Sequence, residues 1–277
     1  MLRQTPSQVW CWPILEMGRA SPLPRFMTSL RAAIHFLTRI PIGFGRQSPA
    51  HLQHAVPWFP LVGALIGSIV GLIYVGLLQL LPSTVAAVLA VGFGIALTDA
   101  FRTDDLVNRA NPFAGGMAKE PQRGIFKDSR LGAYRTSALA LLLLVEMAAL
   151  ATLSPWVAFT SVVAAHSIGW SAAVSAAALS AKAAKKGLGI DYVSEISRLR
   201  SLFGIAAGSA IPVLLTGYVG FLLLAFAIPA TVLVWIWSHR SVGGIAGDSL
   251  GAITQLSQTS VLLGAVVLND GVCACSW

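Results

Sequence analysis

Residues 57–81 read PWFPLVGALIGSIVGLIYVGLLQLL and contain no charged side chain. After Pro82 and Ser83, residues 84–101 read TVAAVLAVGFGIALTDAF, which is again mostly apolar. A helix that spans the hydrocarbon core of a bilayer needs about 20 predominantly apolar residues. Two such runs separated by a tight turn predict a helical hairpin that crosses a membrane and returns.

Five further apolar segments follow the same pattern. Their number predicts an all-α fold, a polytopic membrane bundle of about seven transmembrane helices, with six to eight as the range. The segment 202–217 is the weakest of them, because it is short and contains Pro212. Residues 28–42 form a shorter apolar and basic stretch, which is expected to lie at the membrane interface or to re-enter. The five segments are 136–153, 156–181, 202–217, 219–238 and 250–268.

The composition excludes a soluble globular protein. Hydrophobic residues make up 56% of the 277 residues and charged residues only 11%, against roughly 25% charged residues in soluble chains. The mean hydropathy is +0.74. The net charge of +8 could indicate nucleic acid in a soluble protein, but in a membrane protein basic loops set the topology, so no nucleic-acid partner is expected. Three cysteines near the termini form neither a disulfide framework nor a zinc site.

The two ends of the chain differ from the apolar body. Residues 1–26 are rich in Pro, Trp and Ser, and are expected to be disordered or to reflect a mis-assigned start, with Met27 as a second candidate start. Residues 27–270 are predicted to form a single integral-membrane domain. Residues 271–277 form an atypical tail.

The basic residues fall on one side of the predicted hairpins. Of the 19 Lys and Arg residues, six precede residue 57, seven lie in 102–135, five lie in 182–200, and the last is Arg240. The predicted turns near 82, 154 and 217 carry none. Three hairpins therefore place every basic residue on the same side, which the positive-inside rule identifies as cytoplasmic. The expected location is a bacterial inner membrane, with the charged loops in the cytoplasm.

The loop 102–135 combines acids and bases in a way that suits a phosphorylated substrate. It holds Asp104, Asp105, Glu120 and Asp128 beside seven basic residues. Carboxylates bind Mg²⁺, which bridges to phosphate oxygens, while Arg and Lys neutralise the remaining phosphate charge. The alternative is a solvated loop whose basic residues only fix the topology, and composition alone does not decide between them.

Two other features could carry function. Residues 243–256 read GGIAGDSLGAITQL, in which four glycines surround Asp248 at the start of the last segment. Glycines allow close approach of a ligand to the backbone, although Asp at a helix start can also be a simple N-cap. Glu146 lies inside a spanning segment, where an acid is costly and suggests function. It could equally be neutral or paired with a neighbouring helix.

Four ordered blocks resemble the adenosylcobinamide-GDP ribazoletransferase family, also called the cobalamin synthases. They are FLTRIPIG at 36–43, WFPLVGALIG at 58–67, KDSRLGAY at 127–134 and GGIAGDSLGAITQL at 243–256. The resemblance runs from about residue 28 to 268. It implies a multi-pass inner-membrane transferase of cobalamin biosynthesis, a Mg²⁺-dependent phosphotransferase that joins α-ribazole, or its 5′-phosphate, to adenosylcobinamide-GDP and releases GMP. Other enzymes of the corrinoid pathway are expected partners.

The acidic block of that family is altered in this chain. The family pattern resembles H-x-D-G-L-A-D-x-x-D-G, which aligns with residues 102–112, RTDDLVNRANP. Asp104 matches, whereas the other two expected acids are Asn108 and Asn111, and Asp105 occupies a glycine position. The amide oxygens of the two asparagines can bind a metal ion, but without charge.

The resemblance implies a role for each matching residue. The metal ligands would be Asp104, Asp105, Asn108 and Asn111. The catalytic residues would be Asp104, Lys127, Asp128, Arg130 and Asp248. The substrate-binding residues would be Arg39, Gly244, Gly247 and Gly251.

Two other functions compete with the ribazoletransferase. A diverged member of the family could bind corrinoid with weak or no catalysis, as the two asparagines suggest. A small-molecule transporter is the less favoured alternative, since the sequence shows no internal repeat with interrupted helices at matching positions.

Overall fold

The computed structural model describes residues 25–40, 54–98, 129–180, 198–242, 245 and 247–271. All of the elements in this part of the chain are helical, which confirms the predicted all-α class. The eight α-helices, together with a 3₁₀ helix at Val56–Trp58, are α1 (Arg25–Leu37), α2 (Phe59–Leu77), α3 (Ser83–Leu97), α4 (Ser129–Thr152), α5 (Pro155–Ser180), α6 (Arg198–Thr216), α7 (Tyr218–Val242) and α8 (Gly247–Gly271).

Seven of these helices correspond to the seven predicted segments. Five have the length and apolarity to cross a membrane, namely the helices at 56–77, 155–180, 199–216, 218–240 and 249–269. The apolar parts of α3 and α4, Ser83–Leu97 and Ser137–Thr152, are shorter. The second segment therefore differs from the predicted 84–101, because its helix ends at Leu97. The weakest segment is a full helix that accommodates Pro212 in its interior.

Helix α5 is the centre of the bundle. Helices α2, α6, α7 and α8 all pack on it. Gly67 of α2 shows how close these contacts are, because a Cβ atom there would lie 2.8 Å from the carbonyl oxygen of Val162 on α5. Without a hydrophobic driving force in lipid, small residues that let backbones approach closely are what favours helix association. Helix α4 lies farther out, and its described residues pack mainly on α3 and α8.

All three short turns of the hairpins lie at one end of the bundle. They fall at 78–82, 153–154 and Gly217, where the last adopts a φ of 61° that favours glycine. Tyr74, near the end of α2, donates a 3.0 Å hydrogen bond to Leu150 O, near the end of α4. These turns contain no charged residue.

The opposite end of the bundle carries the basic residues, and we call it the basic end. It comprises α1, residues 54–58 with the start of α2, the ends of α3, α5 and α7, and the starts of α4, α6 and α8. Hydrogen bonds join these segments across the bundle, among them Trp235 Nε1 to Ser180 Oγ at 3.1 Å and Ser238 Oγ with Ser249 Oγ at 2.8 Å. Every Lys or Arg in the described part of the chain lies here. The eight basic residues that the structure describes are therefore gathered at one end, and the other eleven lie outside the described part of the chain.

Helix α1 packs against the bundle at the basic end rather than crossing it. Ala32, Ala33 and Leu37 are buried, while His35 is exposed. Contacts from α1 reach the 3₁₀ helix and α2. This one-sided burial fits the predicted interfacial position of residues 28–42.

Candidate functional site

The structure describes five of the predicted site residues, all at the basic end. The backbone alone is described for Arg130, Gly247 and Asp248, and side-chain surroundings are described for Arg39 and Gly251. The remaining predicted residues lie outside the described part of the chain, and they are Asp104, Asp105, Asn108, Asn111, Lys127, Asp128 and Gly244.

Arg39 lies beside the last residue of α3, after which the chain continues to the acidic block at 102–112. Its backbone N–H donates a 2.9 Å hydrogen bond to Leu97 O, at the last residue of α3. Thr38 fixes the backbone just before it, because its hydroxyl donates to Ile34 O at 2.7 Å. The Arg39 side chain is exposed. An exposed guanidinium is thus held beside the point from which residues 99–128 begin.

The start of α8 is anchored to α7. Ser249 is fully buried, and its hydroxyl shares the 2.8 Å hydrogen bond with Ser238 of α7. Gly247 and Asp248 form the first turn of α8, and Gly251 is buried one turn later. The first turn of a helix presents unpaired N–H groups and a partial positive charge, which together favour phosphate oxygens. The glycine-rich block 243–256 therefore includes the start of α8, which is held in place at the basic end.

The start of α4 brings the other signature block to the same end. Ser129 and Arg130 open this helix, and Lys127 and Asp128 directly precede it in the sequence. Because α4 packs between α3 and α8, its start belongs to the same group of segments as Arg39 and Asp248. The fold thus gathers three of the four sequence blocks at one end of the bundle. Basic side chains and a helix start at one membrane face can bind a pyrophosphate.

A pair that no sequence motif indicates is formed by Arg200 and His54. Arg200 Nη1 is hydrogen-bonded to His54 Nδ1, across 146 residues of sequence, and both side chains are exposed at the basic end. A few residues farther along the same two segments, Trp58 and Phe203 form an edge-to-face contact with ring centroids 6.2 Å apart. The position of Arg200 just before an apolar segment was visible in the sequence, but nothing local indicated a partner so far away.

Glu146 is a buried acid in the middle of the apolar body, and it is bonded to a neighbouring helix. Gln255 Nε2 donates to Glu146 Oε1 at 2.8 Å, and Thr259 Oγ1 donates to the same oxygen at 2.7 Å. A cavity of about 40 Å³ adjoins the carboxyl and is also lined by His166 of α5 and Gly94 of α3. The structure therefore agrees with the interpretation that Glu146 is paired with another helix.

No cluster of three or more His, Cys, Asp or Glu side chains occurs within the described residues. The predicted metal ligands lie in 99–128, outside that part of the chain. Their donor set can be judged by its chemistry alone. Two carboxylates and two amide oxygens are hard oxygen donors, which suit Mg²⁺ rather than a metal that prefers sulfur or imidazole.

Comparison with known proteins gives consistent matches over nearly the whole chain. The model of the family described as cobalamin-5-phosphate synthase matches residues 29–266. Proteins named adenosylcobinamide-GDP ribazoletransferase are similar to this chain in three distant organisms. The protein of Shewanella frigidimarina is 32% identical over 248 residues, which cover 87% of this chain and 94% of the relative. That of Halorubrum lacusprofundi is 34% identical over 257 residues, covering 87% and 97%.

The protein of Azorhizobium caulinodans is 33% identical over 261 residues, covering 88% of this chain and 97% of the relative. No solved structure matches this chain. The three relatives share one name, and the family match over residues 29–266 includes the segments that meet at the basic end.

Proposed function

The chain belongs to the cobalamin-5-phosphate synthase family, and we propose on that premise that it is an adenosylcobinamide-GDP ribazoletransferase. It joins α-ribazole, or α-ribazole 5′-phosphate, to adenosylcobinamide-GDP and releases GMP in the last steps of cobalamin biosynthesis. The observation that carries this proposal is the match over residues 29–266, together with relatives of one name that are covered almost completely. The diverged, inactive member and the transporter are not favoured by these matches.

The reaction is a phosphoryl transfer with a simple balance of bonds. The ribazole hydroxyl attacks the phosphorus on the cobinamide side of the pyrophosphate, and the bond from that phosphorus to the bridging oxygen breaks. GMP leaves with the bridging oxygen, and the hydroxyl proton is released. Little covalent chemistry falls to the protein in such a reaction, because catalysis depends on positioning and on neutralising the phosphate charge.

The residues at the basic end can supply both requirements. Lys127 and Arg130 precede and open α4, and we propose that they neutralise the pyrophosphate in the transition state. Arg39, exposed beside the end of α3, adds a third positive charge. The start of α8 offers N–H groups to a phosphate oxygen, and Gly247 in its first turn lets the substrate approach the backbone, whereas Gly251 is buried one turn deeper. Asp128 and Asp248 are the candidate acceptors of the hydroxyl proton.

We propose Mg²⁺ as the cofactor, held by Asp104, Asp105, Asn108 and Asn111. Bound there, the ion would neutralise and orient the pyrophosphate oxygens. Because two of these four donors are uncharged amides, the site attracts the cation less strongly than a site with carboxylates at the same positions. The oxygen-rich donor set supports this proposal.

The membrane setting follows from the same charges. We propose that the basic end faces the cytoplasm across a bacterial inner membrane, since basic residues are retained on that side. A large corrinoid substrate could then reach the site from the water while the apolar body stays in the bilayer.

Turnover by the purified protein tests the function directly. The full chain, reconstituted in nanodiscs with Mg²⁺, adenosylcobinamide-GDP and α-ribazole, should release one GMP for each cobalamin product formed. Lys127→Ala should reduce kcat by about 10²-fold or more, the loss seen when a group that stabilises transition-state charge is removed. Arg19→Gln is the matched control, because it removes a basic residue outside residues 29–266 and should leave turnover unchanged. Absence of GMP release, beside an active relative, would reject the function.

The altered acidic block gives a second test. Asn108→Asp combined with Asn111→Asp restores charge at two proposed ligands, and should lower the Mg²⁺ concentration needed for half-maximal rate by roughly tenfold or more, since charge count sets the affinity of such sites. The control is Asn269→Asp, which adds an acid at the opposite end of the bundle. An unchanged Mg²⁺ dependence would contradict the proposed ligand set.

A further inference from the structure

Helix α4 carries one signature block but lies outside the central packing. Its described residues pack mainly on α3 and α8 rather than on the central helix α5. A cavity of about 40 Å³ adjoins the face that α4 turns to α8 and α5. Close packing normally fixes the register of two helices, and a void beside a contact leaves its lining with fewer partner atoms. Polar contacts beside this cavity can therefore add to packing in setting the register of α4.

The hydrogen bonds of Glu146 supply that contribution. Glu146 is 7% exposed, and its Oε1 atom accepts from Gln255 Nε2 at 2.8 Å and from Thr259 Oγ1 at 2.7 Å. Gln255 and Thr259 are one helical turn apart on α8, and Thr259 Oγ1 is also 3.1 Å from Gln255 O. One carboxyl oxygen is thus held by two successive turns of α8, which opposes both sliding and rotation of α4.

Both helices bonded in this way lead to the basic end. Gln255 belongs to the same sequence block as Asp248, residues 243–256. Arg130 lies 16 residues before Glu146, and Asp248 lies seven residues before Gln255, so at 1.5 Å per residue the separations are about 24 Å and about 10 Å. Since both helices run from the basic end, α4 extends beyond the start of α8 by about nine residues, or roughly two and a half turns. These turns of α4 lie beyond the first residue of α8, so their position relative to α8 is set by contacts deeper in the bundle, among them those of Glu146.

We infer that Glu146 is a positioning residue, which through Gln255 and Thr259 fixes the start of α4 relative to the start of α8. This inference rests on the proposed function for its effect on catalysis, although the positioning itself does not. The start of α8 is in turn fixed to α7 by Ser249 and Ser238. Together these hydrogen bonds fix the distance between the two signature blocks, which lie at the starts of α4 and α8. A displacement of about 1 Å can cost on the order of 10²-fold in rate.

The relative position of the two blocks can be measured without any assay of turnover. Ser137 on α4 and Arg240 at the end of α7 are both exposed, so each can be replaced by a spin-labelled cysteine, with Cys11, Cys273 and Cys275 changed to serine. Electron–electron double resonance in nanodiscs should give a narrow distance distribution with Glu146 present. Glu146→Ala should broaden or shift that distribution. Glu146→Gln should keep it narrow, because the amide oxygen still accepts both hydrogen bonds.

A matched control removes a polar contact that does not involve α4. Thr231 of α7 lies 3.1 Å from Ser257 of α8 through their hydroxyl oxygens. Thr231→Val breaks that contact and should leave the distance between residues 137 and 240 unchanged. In the turnover assay, Glu146→Ala should reduce kcat by between about tenfold and a hundredfold with little change in KM. Glu146→Gln should keep kcat within about threefold of that of the unaltered chain. A positioning role predicts this result, because the amide oxygen still accepts both hydrogen bonds.

Separate outcomes reject the inference and the proposed function. An unchanged distance distribution in Glu146→Ala overturns the positioning role, whatever the rate. A failure of Glu146→Gln to restore the narrow distribution does the same. If Glu146→Ala does not accumulate, Thr259→Val removes one of the two bonds while the carboxyl keeps the other, and the same broadening is then required of it. Absence of turnover in the unaltered chain rejects the proposed function, while the distance measurement still decides the role of Glu146.

Discussion

Helices α5 and α7 both run from one end of the bundle to the other. Helix α5 is surrounded by other helices, whereas α7 is largely exposed at the outside of the bundle. In α5, 78% of the apolar stretch is buried within the protein, against 28% in α7. The mean hydropathy of α5 is nevertheless lower, at 1.5 compared with 2.5. In a soluble protein the buried helix would be the more hydrophobic one. Here the lipid-facing helix is the more hydrophobic one, because lipid chains are as apolar as any protein core.

The residue types explain the difference. Helix α5 is rich in Ala and Ser, whose small side chains let four other helices approach it. Most of its buried hydroxyls are bonded within the protein, as for Ser167, which donates to Gly208 O at 2.7 Å, while the buried Ser161 hydroxyl has no partner among the described residues. Helix α7 instead exposes large apolar side chains such as Phe221, Ile228 and Leu233. The central position of α5 in this bundle therefore depends on small side chains rather than on high hydropathy.

The largest effect is expected where a small residue meets α5. Gly67→Leu would place a side chain against the backbone of α5, since even a Cβ atom would lie 2.8 Å from Val162 O and 2.9 Å from Val163 Cα. We expect a loss of at least about 3 kcal/mol, the upper end for overpacking. Unfolding by SDS titration in mixed micelles measures it.

Gly76→Leu is the control for that substitution. Gly76 lies on the same helix but has no atom within 4 Å of a Cβ built at its position. A change within about 0.5 kcal/mol is expected for such a site. Equal losses at residues 67 and 76 would show that helix propensity, and not contact with α5, governs the result.

A smaller effect is expected from a single hydrogen bond of α5. Ser167→Ala removes the bond to Gly208 O on α6, whereas Ser175→Ala removes a bond to Ser171 O within α5 itself. Interhelical hydrogen bonds in membranes are worth about 0.6 kcal/mol on average and at most about 1.7. The Ser167 variant should lose about 1 kcal/mol and the Ser175 variant less than half of that. The reverse order would contradict the central role of α5 contacts.

The sequence was sufficient to predict the spans, because hydropathy and basic residues report directly on the bilayer. It predicted a hairpin at Pro82 and Ser83, which is present, and a one-sided charge, with which the eight described basic residues agree. It did not predict that α3 ends at Leu97, since helix ends depend on tertiary contacts such as the bond between Arg39 N and Leu97 O. Nor did it identify α5 as central, because a hydropathy scale scores Ala and Ser low wherever they lie.

The candidate site likewise contains residues that the sequence could predict and contacts that it could not. Its residues were found through ordered sequence blocks, and the structure brings Arg39, Arg130 and Asp248 to one end of the bundle. The partners of Glu146 could not be found in this way, because Gln255 and Thr259 are more than 100 residues distant and no local pattern links them. Long-range pairing of this kind, like that of Arg200 with His54, is decided by the packing of whole helices.

The smallest effect is expected on the lipid-facing side of α7. Leu233 is 66% exposed within the protein, so Leu233→Ala removes contacts that lipid chains replace in both the folded and the unfolded chain. We expect a change within about 0.5 kcal/mol in the same SDS titration. A loss of more than about 1.5 kcal/mol would match the burial of a leucine against protein. That result would mean that another protein surface, and not lipid, covers this face of α7, and the contrast with α5 would then concern only the single chain.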